Sequence, residues 1–322
     1  MIGDEGAPKD ALDRLGCDRR HGGTGMTIGV ELPLDNDFAR ADPRTPFGIP
    51  DLTQHLERAQ MADSLGFHAL WLRDVPLWLP RTFGDAGQVF DPIAYLGYLA
   101  AATKNVLLGT AAVVLPLRHP LQLAKQAATI DVLSGGRLIL GVATGDRPEE
   151  YPAFGASFDD RGDTYRKSVA AMRAIWERSA TADATSDGVL PAPVHDRIPV
   201  VAVGRGQQTT EWAAENMDGY MTYHRHGAAM AGVVAKWNSS TPVGQHKPVI
   251  TTMLVDLEED PHAPATAIRF GAQTGSAALV EYLQELESAG IAHVALNFRP
   301  SRRPVEDALL EIAEAVLPSF RQ

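Results

Sequence analysis

Two histidines separated by one residue, His224 and His226, are the first pattern in the chain that could do chemistry. On a strand they would share a face, which is ligand-like spacing. A catalytic zinc site takes about three protein ligands, however, and no second His pair completes one, so no metal site is expected and the pair reads as polar rim residues. A second pattern is the run Gly204, Arg205, Gly206, Gln207, Gln208, Thr209 and Thr210. Its glycines let backbone N–H groups turn toward one point, its threonines open a helix, and Arg205 offers a charge-assisted contact, a combination that suits a phosphate monoester. The same residues read equally well as a plain loop and helix cap. Ser301 to Arg303 is a rival anion site, or else a solvated basic turn before Pro304. The third pattern, Thr110, Ala111 and Ala112, has so little side-chain bulk that a flat ring could lie against the backbone there. Filling a tapered barrel interior explains those small residues as well.

The elements that must position these residues follow from periodicity. Short β-branched apolar runs lie near Ile28 to Leu32, His68 to Leu72, Val106 to Val114, Leu138 to Ala143, Ile198 to Val203, Gly219 to Tyr223, Pro248 to Val255 and Ala292 to Asn297. Each is followed by an amphipathic stretch of helical length, the alternation of βαβ units. Helix signals include Asp91 before Pro92, an N-cap followed by proline at the first helical position, and Gly66 and Gly135 as C-terminal caps. Eight such units predict an α/β fold, a (β/α)8 TIM barrel with loop insertions at its C-terminal mouth. A doubly wound sheet is disfavoured because the first strand is followed by GVELPLDND, with no G-x-G-x-x-G. In a barrel the working residues stand at the C-terminal ends of the strands, which is where all three patterns fall. Arg147 to Gly162, Ser179 to Arg197 and Asp256 to Gln273 are too long for bare connections and read as parts of a pocket lid or as surface loops.

Composition narrows the partners. With 29 Lys and Arg against 40 Asp and Glu, the 322-residue chain carries −11 and has no basic run to meet nucleic acid or anionic lipid. Its one cysteine, Cys17, can form neither an internal disulfide nor a thiolate zinc site, which fits a reducing cytoplasm. No window reaches the ~18 apolar residues of a membrane span. Residues 1–25 are Gly-, Asp- and Arg-rich and are expected to be a flexible tail, with Met26 a possible natural start and residues 26–322 a single domain.

At these segments the sequence resembles the bacterial luciferase-like flavin monooxygenase family, from about Ile28 to Leu317. The resemblance rests on GTAAVVLP (Gly109 to Pro116), His119 and Pro120, LSGGR (Leu133 to Arg137) with Gly141 and Gly145, and TTEWAA (Thr209 to Ala214). It implies FMN as cofactor, bound near Thr110, with Ala111 and Ala112 forming a non-prolyl cis peptide behind the ring. It further implies phosphate contacts from Gly204, Arg205, Gly206 and Thr209, a tyrosine reaching the phosphate in Tyr165, and a polar neighbour of the ring in Thr144. The implied reaction takes reduced FMN and dioxygen to a small organic substrate, with electrons from a separate flavin reductase, in a cytoplasmic homodimer.

Two departures qualify it. Asp74 is followed by Val75 where luciferases carry a catalytic His, and Ala143 replaces their reactive cysteine, so light emission is not expected. His224 then becomes the nearest acid/base candidate, since a histidine with its usual pKa near ~6.5 suits proton transfer, and Asp74 is the second. A deazaflavin (F420)-dependent hydride-transfer enzyme, and a flavin-binding protein without turnover, are the alternatives. Trp78, Leu79 and Phe83 point to an apolar pocket wall, or are plain loop anchors.

Overall fold

The computed structural model describes residues 10–15, 25–40, 49–79, 89–180, 188–195 and 197–320. Its strands are β1 (Thr27–Leu32), β2 (Ala69–Leu72), β3 (Leu107–Thr110), β4 (Val113–Val114), β5 (Leu138–Ala143), β6 (Val200–Val203), β7 (Gly219–Tyr223), β8 (Val249–Leu257), β9 (Thr266–Ile268), β10 (Gly271–Thr274) and β11 (His293–Asn297). Between and after them run α1 (His55–Leu65), α2 (Pro92–Ala102), α3 (Pro120–Ser134), α4 (Arg161–Ala180), α5 (Thr210–Asn216), α6 (Ala228–Ser240), α7 (Ser276–Ser288) and α8 (Val305–Glu311). The order β11-β1-β2-β3-β5-β6-β7-β8 is parallel throughout and closes on itself through β8 and β11, so the expected (β/α)8 barrel is the observed one. β4 continues β3 along β5 after the break at Ala111 and Ala112. Absent from the sequence reading are β9 and β10, an antiparallel hairpin inside Asp256 to Gln273 whose second strand extends the upper half of β8.

Strand parity sorts the side chains, because successive residues point to opposite faces. Ile28, Val30, Leu70, Leu108, Leu140 and Val200 point outward and join the helices in the larger core. Trp71, Leu107, Ile139, Val201, Met221 and Ile250 point inward and fill the barrel. The indole of Trp71 needs room at the centre. A Cβ on Gly109 would come 2.4 Å from it, and one on Gly29 would meet the ring of His293 at 2.9 Å, so both positions require glycine for space.

The foot of the barrel is closed by residues expected to belong to a flexible tail. Ala11, Leu12 and Leu15 are buried with the interior cluster. A buried chain ties them down: Trp71 Nε1–H donates to His293 Nε2 at 3.0 Å, His293 Nδ1 meets Thr27 Oγ1 at 2.8 Å, and the Thr27 hydroxyl donates to Leu15 O at 2.9 Å. Because Nε2 accepts, the neutral ring carries its proton on Nδ1 and donates to Thr27. Burial pushes the His293 pKa well below its usual value and keeps the ring neutral, as this relay requires. The tail expectation therefore fails for residues 10–15; Cys17 lies outside the described residues.

LSGGR also works at the foot. Gly135 and Gly136 turn the chain at φ 67 and 77, and Arg137 is buried with its guanidinium donating to Ser134 O, Thr103 Oγ1, Val106 O, Ala100 O and Thr103 O. This fork joins α2, β3 and α3 and has no part in the mouth. Residues 188–195, which read as part of a lid or as surface loop, lie here too: Val194 N donates to Asp131 Oδ2, and a Cβ on Gly136 would meet His195. They lead into the N-terminal end of β6, opposite the mouth.

Candidate active site

At the C-terminal ends of the strands lies a cavity of about 580 Å³, within the ~300 to 1,000 Å³ of small-molecule sites. One wall is Ala111 and Ala112, joined by a cis peptide as the resemblance implied. Ala143 and Val114 continue this small and apolar surface. The other side is the loop after β6. Gly204, Gly206 and Gln207 have φ of 67, 55 and 59, left-handed positions on either side of Arg205 that turn the chain sharply. Gly204 N is bonded to Met221 O and Gln208 N to Arg205 O, whereas the N–H groups of Arg205, Gly206 and Gln207 have no partner among the described residues. These three residues line the cavity, and Arg205 is exposed.

The loop is held from behind. The Gln208 side chain donates to Gly162 O and Gly206 O and accepts from Arg166. Tyr165 is fully buried beneath Gly206, where a Cβ would come 3.2 Å from its ring. The Tyr165 hydroxyl reaches Val142 O at 3.5 Å and the side chain is not part of the cavity wall, so it supports the loop and does not enter the cavity. Thr209 caps α5 by accepting from Trp212 N and faces a neighbouring groove instead of the mouth.

Parity removes two further expected residues. Thr110 points outward; its buried hydroxyl donates to Gly141 O at 2.7 Å, stitching β3 to β5. His224 also points outward, one residue past Tyr223, which does line the mouth. The His224 Nε2 meets the Tyr282 hydroxyl of α7 at 2.7 Å, and His226 Nδ1 meets the same hydroxyl at 3.1 Å. Burial, with His226 adding to it, pulls the His224 pKa down to about 4. His224 is thus a buried neutral ring between barrel and helix and not the acid/base of the mouth. Asp74 reaches the cavity, but Oδ2 accepts from Val114 N at 2.9 Å and Arg118 Nε at 3.2 Å, and Oδ1 from Arg118 Nη2 at 2.9 Å. It is a brace for the strand after the cis peptide, not a free proton carrier. Thr144 lines the cavity, its carbonyl accepting from Tyr151.

The residues missed are polar and inward. Glu31 is buried at the top of β1, accepts from the Thr252 hydroxyl of β8 and lies 3.6 Å from Arg73 Nε. Counting by twos from Thr27 through Gly29 would have placed it inside the barrel, and a charge there is costly unless partnered. Glu150, from the insertion after β5, is buried with Oε1 unbonded and Arg147 Nη1 3.6 Å away; burial outweighs that cation and raises its carboxyl pKa. The β9–β10 insertion also reaches the mouth, through Phe270 stacked on Tyr223 at 4.8 Å. Trp78 is 48% exposed and lines none of this wall, and Phe83 lies outside the described residues. At the rival anion site Arg302 is paired with Asp256 and Glu258 and Arg303 with Glu311, which leaves no cation for a ligand. Among the described residues no group of three His, Cys, Asp or Glu is placed to hold a metal, and no helix is long and apolar enough to cross a membrane.

Comparison with known proteins agrees with this fold. A family model described as luciferase-like monooxygenase matches residues 26–313. The oxygenase component of the flavin-dependent trigonelline monooxygenase of Acinetobacter baylyi is 36% identical over 124 residues, 38% of this chain and 33% of that protein. The F420-dependent glucose-6-phosphate dehydrogenase of Beutenbergia cavernae is 31% identical over 170 residues, 50% of this chain and 49% of that protein. The chain thus spans about a third to a half of these curated relatives. Among solved structures, the monooxygenase RslO1 from Streptomyces bottropensis superposes with a TM-score of 0.72 over 92% of this chain and 100% of that one, at 20% identity, a likeness of fold alone.

Proposed function

Since the chain belongs to the luciferase-like monooxygenase family, an enzyme family of flavin- or F420-dependent oxidoreductases, we propose that its mouth binds FMN and oxygenates a small organic substrate. The observation that carries this is one cavity bounded on one side by Ala111 and Ala112 and on the other by the free amides of Arg205, Gly206 and Gln207. The first surface suits a flat ring and the second a phosphate, at a spacing one cavity of about 580 Å³ spans. When bound, reduced FMN supplies the electrons that activate dioxygen. The protein's part is to seat the phosphate on three preorganised N–H donors with Arg205 as counter-charge, and to lay the ring on a wall without side-chain bulk. Glu31, with Thr252 donating to it, and Glu150, with its raised pKa, are the carboxyls on hand for proton movement at Oε1 or Oε2, in place of His224. A separate reductase is proposed as the electron source, as the wording "oxygenase component" in the relative's name supports.

Titrating the purified protein with FMN and with riboflavin tests the reading. FMN is expected to bind at least tenfold more tightly, and equal affinity would remove the phosphate loop from the argument. Steady oxygen consumption with reduced FMN and product formation from a substrate panel test the oxygenase half. The hydride-transfer reading with F420 has one specific observation in its favour, a groove of about 520 Å³ beyond Arg205 that Arg225 and Lys236 also line.

A further inference from the structure

Glu150 lines the mouth and is 1% exposed, yet its Oε1 has no hydrogen-bond partner among the described residues. The insertion after β5 holds it there. Glu150 N donates to Arg147 O, closing a turn in which Arg147 Nη1 stands 3.6 Å from Oε1. The Tyr151 hydroxyl donates to Thr144 O, the Tyr151 ring meets Phe158 edge-on at 5.1 Å, and the Arg161 guanidinium covers Phe158 at 3.6 Å. The Leu77 amide, from the loop after β2, donates to the Glu150 carboxyl, and with Oε1 unbonded that contact belongs to Oε2. Burial raises the carboxyl pKa against Arg147 and the Leu77 amide, and Asp74 and Asp146 add to the rise. In the acid form Oε2 accepts from Leu77, so the proton sits on Oε1 as a donor that meets no acceptor of the protein. A buried polar atom in that condition is costly until a ligand satisfies it. Trp78 and Leu79, expected as an apolar wall, line none of the cavity.

We propose that Glu150 Oε1, with Arg147 beside it, anchors the polar end of the substrate, and that the substrate is a small molecule presenting an acceptor oxygen, as a ketone or a carboxylate does. The proposal rests on the reading of the mouth as the oxygenating site and names the substrate class for it. Oε1–H donates to that oxygen and the Arg147 guanidinium adds a charge-assisted contact, so the ligand supplies the acceptor that the protein lacks. The contact is one of binding and moves no proton. A hydrocarbon of the same shape leaves Oε1–H unmet and is rejected on that account.

The test uses the FMN-loaded full chain and three matched probes: acetophenone, its isostere α-methylstyrene, in which a CH2 replaces the oxygen, and benzoate. Dissociation constants are read by ligand-observed NMR for the wild type, Glu150→Gln and Glu150→Leu, with FMN affinity and a thermal melt measured for each protein. At least one oxygen-bearing probe is expected to bind the wild type about tenfold more tightly than α-methylstyrene, a preference that falls as pH rises and Glu150 ionises. Glu150→Gln, whose amide still donates, is expected to keep the preference at every pH, and Glu150→Leu to lose it. The other charged groups around Glu150 are Asp74 with Arg118 from the β2 side, and Asp146, Arg147, Tyr151 and Arg161 from its own side. All of them remain in Glu150→Gln, so a pH dependence lost there belongs to Glu150. The tighter of acetophenone and benzoate tells ketone from carboxylate. If neither oxygen-bearing probe outbinds α-methylstyrene, or if the preference survives Glu150→Leu, the anchor is overturned and the cofactor reading stands. Failure of the wild type to bind FMN would overturn the mouth reading, and the anchor with it.

Discussion

Ala112 and His224 show how far a single side chain's role depends on the direction in which it points. Ala112 lines the cavity, so Ala112→Leu puts three extra carbons where the ring is proposed to lie. The expected outcome is at least a tenfold loss of FMN affinity with little change in melting temperature, read by fluorescence titration beside a thermal melt. His224 is expected to behave in the opposite way. Folded, it refuses a proton until about pH 4, while the unfolded ring takes one near its usual 6.5. The unfolded state then binds more protons between those values, so stability is full above pH 6.5 and falls as pH drops toward 4, by about 3 kcal/mol at ~1.4 kcal/mol per pH unit. His224→Gln is predicted to flatten that part of the melting-temperature profile without changing FMN affinity. A large drop in turnover with an unchanged pH profile would return His224 to the active site.

At the scale of elements, the mouth depends on braces that connect neighbouring units. Asp74 links the end of β2 to β4 and to Arg118. Asp74→Ala leaves the Val114 amide without its acceptor and Arg118 with Asp91 as its remaining carboxylate, which costs roughly 1 to 3 kcal/mol. Urea denaturation should show that loss, and FMN affinity should fall with it because the Ala111–Ala112 wall is no longer anchored. The loop after β6 depends on Gly206, whose φ of 55 and 3.2 Å approach to Tyr165 leave no comfortable place for a Cβ. Gly206→Ala is predicted to destabilise by about 1 to 2 kcal/mol and to weaken FMN more than riboflavin, since the strain falls on the amides proposed to meet the phosphate. A uniform loss for both ligands would show that the loop only shapes the ring pocket.

For the whole molecule, the barrel is closed at its foot by a segment that precedes the first strand. Ala11, Leu12 and Leu15 cover Trp71, Leu107 and Ile139, and each leucine buried is worth about 1.5 to 3 kcal/mol. A chain beginning at Met26 is therefore expected to melt several degrees lower, while Leu15→Ala alone costs about 2 to 4 kcal/mol by calorimetry or urea titration. An unchanged melt for both would show that the foot seals itself. The eight barrel strands, the order of the helices and the small-residue wall were legible in the sequence, because apolar periodicity, caps and glycines act over a few residues. The foot segment was not, since Gly, Asp and Arg around Ala11 to Leu15 read locally as tail, and only the exposed floor of a closed barrel makes those apolar side chains valuable. The same limit applied at the mouth. Residue types and the family resemblance marked Thr110, His224, Asp74 and Tyr165 for chemistry, but a one-residue difference in strand parity turned the first two outward, and neighbours distant in sequence, Arg118 and Gly206, claimed the others as supports. Sequence by itself determined which strand ends meet at the mouth; which loops and side chains enter it was decided only when closure of the barrel fixed inside and outside, and so brought Glu31 to Thr252 across 221 residues of chain.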